Sequence, residues 1–110
     1  MSDVIHGCVV EALQFPQNKR AHRFIGLERA DFFWPDGRTD AYTILEITMI
    51  AGRTVETKKR LIRLLFDRIR DEVGITHQDI EICILERPSD QSGLPRHAWR
   101  SVKLDYKIAV

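Results

Sequence analysis

Five cations stand where turns and element ends are expected: Lys19 and Arg20 in a polar turn, Arg23 just after it, Arg38 behind a Gly turn, and Arg53 behind another. A guanidinium offers a planar fork of donors and an ammonium a point charge, so such positions suit bidentate or electrostatic capture of a small carboxylate. Exposed solubilising charge is the competing reading for each residue taken alone. No other chemistry has the spacing it needs. The chain has no Gly-rich phosphate loop, no Cys or His spacing for zinc and no Ser-centred elbow. His6, His22, His77 and His97 are scattered and read as surface or internally satisfied histidines. Cys8 and Cys83 sit inside apolar runs, where cysteine packs as a small hydrophobe, so neither a metal nor a redox role is expected. No cofactor is expected either.

The elements that must hold these cations can be read from periodicity. Ile5, Cys8, Val9, Ala12 and Leu13 recur at helical spacing behind Ser2 and Asp3, two residues suited to capping, and Pro16 ends the run. Ala21 to Glu28 alternates and predicts a strand whose two faces are both mixed. Arg29 to Asp40 reads as a loop in which Phe32, Phe33 and Trp34 either anchor to the core or form a ligand wall. Tyr42 to Ile50 predicts a strand with Leu45, Ile47 and Met49 on one face and Ile44, Glu46 and Thr48 on the other. Thr54 then caps a long helix. Its apolar stripe is Leu61, Ile62, Leu65, Ile69 and Val73, and Lys58, Lys59, Arg60, Arg63 and Arg70 are expected on a solvated face. Gly74 stops the helix, and Ile80 to Leu85 gives a second strand. Two strands joined through a helix pair in parallel by a right-handed crossover. Ser89 to His97 reads as a loop, and Val102 to Val110 alternates as a terminal strand.

Composition limits the rest. One domain is expected of 110 residues, with 44% hydrophobic and 30% charged residues and a net charge of +1. That charge gives no global field, so neither nucleic acid nor an anionic membrane is indicated. No apolar run approaches the ~20 residues of a membrane span, and a cytoplasmic location is the expectation.

The central stretch resembles the second half of the tautomerase superfamily. The residues that carry the likeness are Ala51-Gly52-Arg53-Thr54-Val55-Glu56-Thr57-Lys58-Lys59, Gly74-Ile75-Thr76-His77-Gln78-Asp79 and Ile80-Glu81-Ile82-Cys83-Ile84-Leu85-Glu86-Arg87-Pro88. Pro16-Gln17-Asn18-Lys19-Arg20 and Tyr42-Thr43-Ile44-Leu45-Glu46-Ile47 extend it. It is strongest from Tyr42 to Pro88 and weakest between Ser89 and Trp99, and it is to the longer, fused-subunit members related to malonate semialdehyde decarboxylase.

The resemblance implies an α+β fold of the macrophage migration inhibitory factor type. That is a pseudo-twofold β-α-β repeat, with a mixed sheet, two helices on one face and three subunits around the other. It also implies a homotrimer and keto-enol chemistry on a small 2-oxo acid by an amino-terminal proline, whose secondary amine titrates. Here Pro16, Pro35, Pro88 and Pro95 are all internal amides, and Ser2 already opens the first helix, so either the sequence begins downstream of the true start or the protein lacks that strand and its proline. Lys19 replaces the acidic residue of decarboxylase relatives, and Ser92 stands where many members have Trp. The candidates for holding a small acid are Arg53, Arg38 and Lys19, with Trp34 or Trp99 as a wall. Two function classes remain open: a tautomerase-like enzyme with its amine absent or replaced, and a non-catalytic trimeric binding module. A ferredoxin-like regulatory domain is a more distant third.

Overall fold

Helix α1 covers Ser2–Leu13, strand β1 Thr43–Ile50, helix α2 Val55–Glu72, strand β2 Ile80–Arg87 and strand β3 Val102–Asp105. This computed structural model describes residues 1–88 and, for the backbone alone, 102–105. The expected loop at Ser89 to His97, the end of the terminal strand and Trp99 lie outside the described residues.

The Thr54 Oγ1 accepts from the Thr57 N–H at 3.1 Å, and with one of its orphan donors satisfied α2 starts there, as its sequence predicts. Gly74, at φ +87°, ends it in a conformation that costs a residue with a Cβ more than it costs glycine. Leu61, Ile62, Leu65 and Ile69 are fully buried, whereas Val73 is the C-terminal cap residue and half exposed. On α1 the cap is Met1, and Ser2 and Asp3 fall inside the first turn rather than capping it.

Strands β1 and β2 pair in parallel from Thr43↔Ile80 to Ile50↔Arg87, and β3 joins the other edge of β2 antiparallel, which gives the order β1-β2-β3. This is the crossover unit expected from the sequence, in a mixed sheet. Leu45 and Met49 of β1 and Ile80, Ile82 and Ile84 of β2 form one core with Cys8 and Ala12 of α1 and the α2 stripe. Each fully buried aliphatic side chain contributes ~1.5–3 kcal/mol against exposure. The helices pack on each other next to Gly7, where an added Cβ would lie 3.3 Å from the Arg68 guanidinium. Arg68 crosses α1 there to reach Glu11 at 2.7 Å.

Two further expectations fail. Ala21 to Glu28 is exposed and forms no strand, because among the described residues no neighbour supplies ladder hydrogen bonds and its mixed faces bury little. Lys58 is not on the solvated face. It is 5% exposed and ion-paired with Glu86, since the first turn of α2 lies over the end of β2.

The loop from Arg29 to Tyr42 is pinned rather than free. Phe32 stacks on Tyr42 with centroids 5.6 Å apart, and Trp34 meets the edge of Phe32 at 5.9 Å. Asp79 completes the anchor by accepting from both the Thr39 backbone N–H and its hydroxyl, each at 2.7 Å. No helix among the described residues is long and apolar enough to cross a membrane.

Candidate functional site

A groove of about 800 Å³ runs beside β1. All of Thr43 to Ile50 line it, the segment Ala21–Gly26 lines it from another part of the chain, and α1 adds Ile5, Val9 and Leu13. The apolar surface comes from α1 and from Ile44, Ile47 and Ile50. Polar and charged groups come from the ends of elements: Lys19 after α1, Arg53 after β1 and Arg87 at the end of β2. Because Ile50 and Arg87 are register partners, Arg53 and Arg87 stand at the same end of the sheet. Glu46 is the one carboxylate among the lining residues.

The two imidazoles in the groove were not among the site residues expected from the sequence. His6 is buried, and its Nε2–H donates to the Gln17 carbonyl at 2.8 Å, which fixes that tautomer. The same bond folds the polar turn back along α1, so that Arg20 reaches Asp3 at 2.6 Å and His22 reaches Ser2. His22 Nδ1 lies 2.7 Å from Ser2 Oγ, and its ring meets the His6 ring edge-on at 6.0 Å. Partial burial first, then the positive charge of Arg20 and His6, holds His22 below the ordinary histidine pKa. It is therefore a neutral imidazole at pH 7. Sequence spacing carried no sign of this pair, because only the reversal at Gln17 brings His22 over a helix that begins near Met1.

Of the five residues expected to hold a small acid, Lys19 and Arg53 both line the groove. Arg38 and Trp34 do not line it. The Arg38 guanidinium lies 5.5 Å from the Tyr42 ring centroid and donates to the Gln78 carbonyl, and Trp34 stacks beneath the Arg29 guanidinium at 5.7 Å. Those contacts hold the loop to the start of β2. Among the described residues no group of His, Cys, Asp and Glu could hold a metal.

A crossover β-α-β unit, a second helix on the same face and a groove with cations at its end define a small α+β protein. The chain belongs to the Tautomerase_2 family, the tautomerase enzymes, whose model matches residues 19–94. It is 28% identical over 89 residues to the probable tautomerase YusQ of Bacillus subtilis (strain 168), covering 76% of this chain and 70% of that protein. Among solved structures it is similar to malonate semialdehyde decarboxylase, for which decarboxylase and hydratase activities are described, with a TM-score of 0.74 at 22% identity over 86% of this chain and 77% of that one. It is also similar to FG41 malonate semialdehyde decarboxylase inhibited by 3-bromopropiolate, with a TM-score of 0.71 at 27% identity, over 77% of this chain and 68% of the other. The expected α+β tautomerase fold is thus the observed one.

Proposed function

We propose that the groove binds a small 2-oxo acid or its enol and interconverts the two forms. One observation carries this reading: Lys19, after α1, and Arg53, after β1, line the same largely apolar groove. A cation held where charge develops stabilises an oxyanion through a charge-assisted contact. The carboxylate sits against Arg53, and a neutral His22 takes a proton from the carbon next to the ketone through Nε2 while Nδ1–H donates to Ser2 Oγ. The resulting enolate oxygen faces the Lys19 ammonium, and return of the proton to oxygen gives the enol. Family membership and the resemblance to decarboxylases support the class of substrate. The same likeness supports a homotrimer.

A second reading rests on a different observation. Pro16, Pro35, Pro88 and Pro95 are all internal, so none offers a titratable secondary amine. On that reading the protein is a trimeric binding module without turnover. Turnover of phenylenolpyruvate, followed by loss of enol absorbance, separates the two: a rate above buffer that falls in Arg53→Ala supports catalysis, and a rate equal to buffer with retained binding of a 2-oxo acid supports the module.

A further inference from the structure

Lys59, Arg63, Asp67 and Asp71 stand four residues apart on α2, and all four are exposed. Four residues turn a helix by ~400°, so each side chain follows the last with a drift of ~40° and the four make one ridge ~18 Å long. The ridge lies opposite the buried stripe of Leu61, Ile62, Leu65 and Ile69. Its first half is cationic and its second half anionic. That order opposes the helix dipole, which favours anions in the first turn and cations in the last. Glu56 and Arg70 follow the dipole, so the dipole does not account for the ridge beside them.

Pairing within the chain does not account for it either. Among the described residues Lys59 and Arg63 form no ion pair. Asp67 and Asp71 share Arg70, at 3.8 and 3.0 Å, and all three side chains are more than half exposed. Exposed pairs of this kind contribute only ~0–1 kcal/mol. With Arg70 counted, the second half of the face stays anionic.

A ridge of this order is complementary to itself when reversed. About a twofold axis set between Arg63 and Asp67, Lys59 meets the partner's Asp71 and Arg63 meets the partner's Asp67, and symmetry forms each contact twice. Ridges spaced by four residues interdigitate at about −50°, the commonest helix crossing.

We propose that this face of α2 packs antiparallel on the same face of a second copy of the chain, through the two contacts just described. Charge selects the occupant: a uniformly acidic or basic surface is repelled by half of the ridge, whereas a reversed copy matches all of it. One helix crossing buries less than the ~1,200 Å² of a standard interface, so the contact is weak and reversible, and salt screens it. It is independent of the small-acid reading and of the trimer, because it uses the side of α2 turned away from the core.

Sedimentation equilibrium of the full chain tests it at ~0.01 M and ~1 M salt, between which the screening length falls from ~30 to ~3 Å. At low salt the mean mass should rise with protein concentration above that of the high-salt species, with association about tenfold or more weaker at high salt. Lys59→Glu with Arg63→Glu should abolish the rise, and so should Asp67→Lys with Asp71→Lys, each with the circular dichroism and high-salt mass of the parent. An equimolar mixture of the two double variants should regain it, since every contact is restored with its charges exchanged. The mixture is its own check on folding, because it associates only if both variants are folded. A parent mass that stays constant with concentration at low salt overturns the proposal. Self-association of either double variant equal to that of the parent, or a mixture of folded variants that does not associate, also overturns it.

Discussion

Lys58 in the first turn of α2 and Glu86 near the end of β2 form an ion pair whose side chains are only 6% and 14% exposed. The pair fastens the helix start to the strand that the helix serves, close to where Arg53 and Arg87 leave the sheet. In a desolvated pair the attraction roughly balances the cost of removing both charges from water, but loss of one partner strands the other. Lys58→Met should therefore lower unfolding free energy by about 3–5 kcal/mol, whereas Lys58→Met with Glu86→Leu should recover most of that loss. Urea denaturation of the two variants measures the difference.

Leu65 is fully buried between the helices and the sheet. Leu65→Ala is expected to cost about 2–5 kcal/mol through lost burial and a residual cavity. The urea midpoint should fall with little change in slope, because the surface exposed on unfolding is nearly the same.

Asp79 holds the aromatic loop through Thr39. Donation by the Thr39 N–H, then by its hydroxyl, lowers the Asp79 pKa below the ordinary carboxylate value. A carboxylate with a depressed folded-state pKa contributes stability that is present above its unfolded pKa of about 4 and is lost as pH falls through the folded value. Asp79→Asn should melt below the parent at pH 6, and the gap should narrow toward pH 3. Thermal melts across that range check both the direction and the window.

Arg53 is expected to contribute a charge-assisted contact to a bound 2-oxo acid, worth ~1.5–3 kcal/mol. Arg53→Ala should weaken binding of that acid by about 10- to 150-fold. The same change at Arg38 should leave binding unaltered, because Arg38 is engaged by Tyr42 and Gln78. Calorimetric titration with pyruvate compares the two.

On the proposed mechanism His22 carries the acid limb of the pH-rate profile. Its folded-state pKa is lowered, so the neutral form persists below pH 6.5 and the rate should fall only at a more acidic pH. Stability has the same sign: it is complete above about 6.5 and declines as pH drops toward the folded pKa. His22→Asn should abolish the limb and lower kcat more than KM. An unchanged profile would remove His22 from the mechanism.

The β1-α2-β2 unit was legible because each of its parts is specified locally. Thr54 and Gly74 bound the helix with side-chain and backbone chemistry of their own, and the period of Leu61, Ile62, Leu65 and Ile69 differs from the alternation of Ile80, Ile82 and Ile84. Alternation failed at Ala21 to Glu28, where a strand needs a neighbour that no local pattern can provide. Lys58 was misplaced for a related reason: charge alone suggests solvent, and only the position of Glu86 on β2 shows where it is buried.

What the sequence determined by itself was the scaffold, the family and the cationic character of Lys19 and Arg53, because propensity, capping and periodicity act between near neighbours in the chain. The tertiary structure decided which cations share a groove, which are spent on the aromatic loop, and that His6 and His22 face each other. Each of these depends on contacts between residues far apart in sequence, and only the folded chain fixes the distances between them.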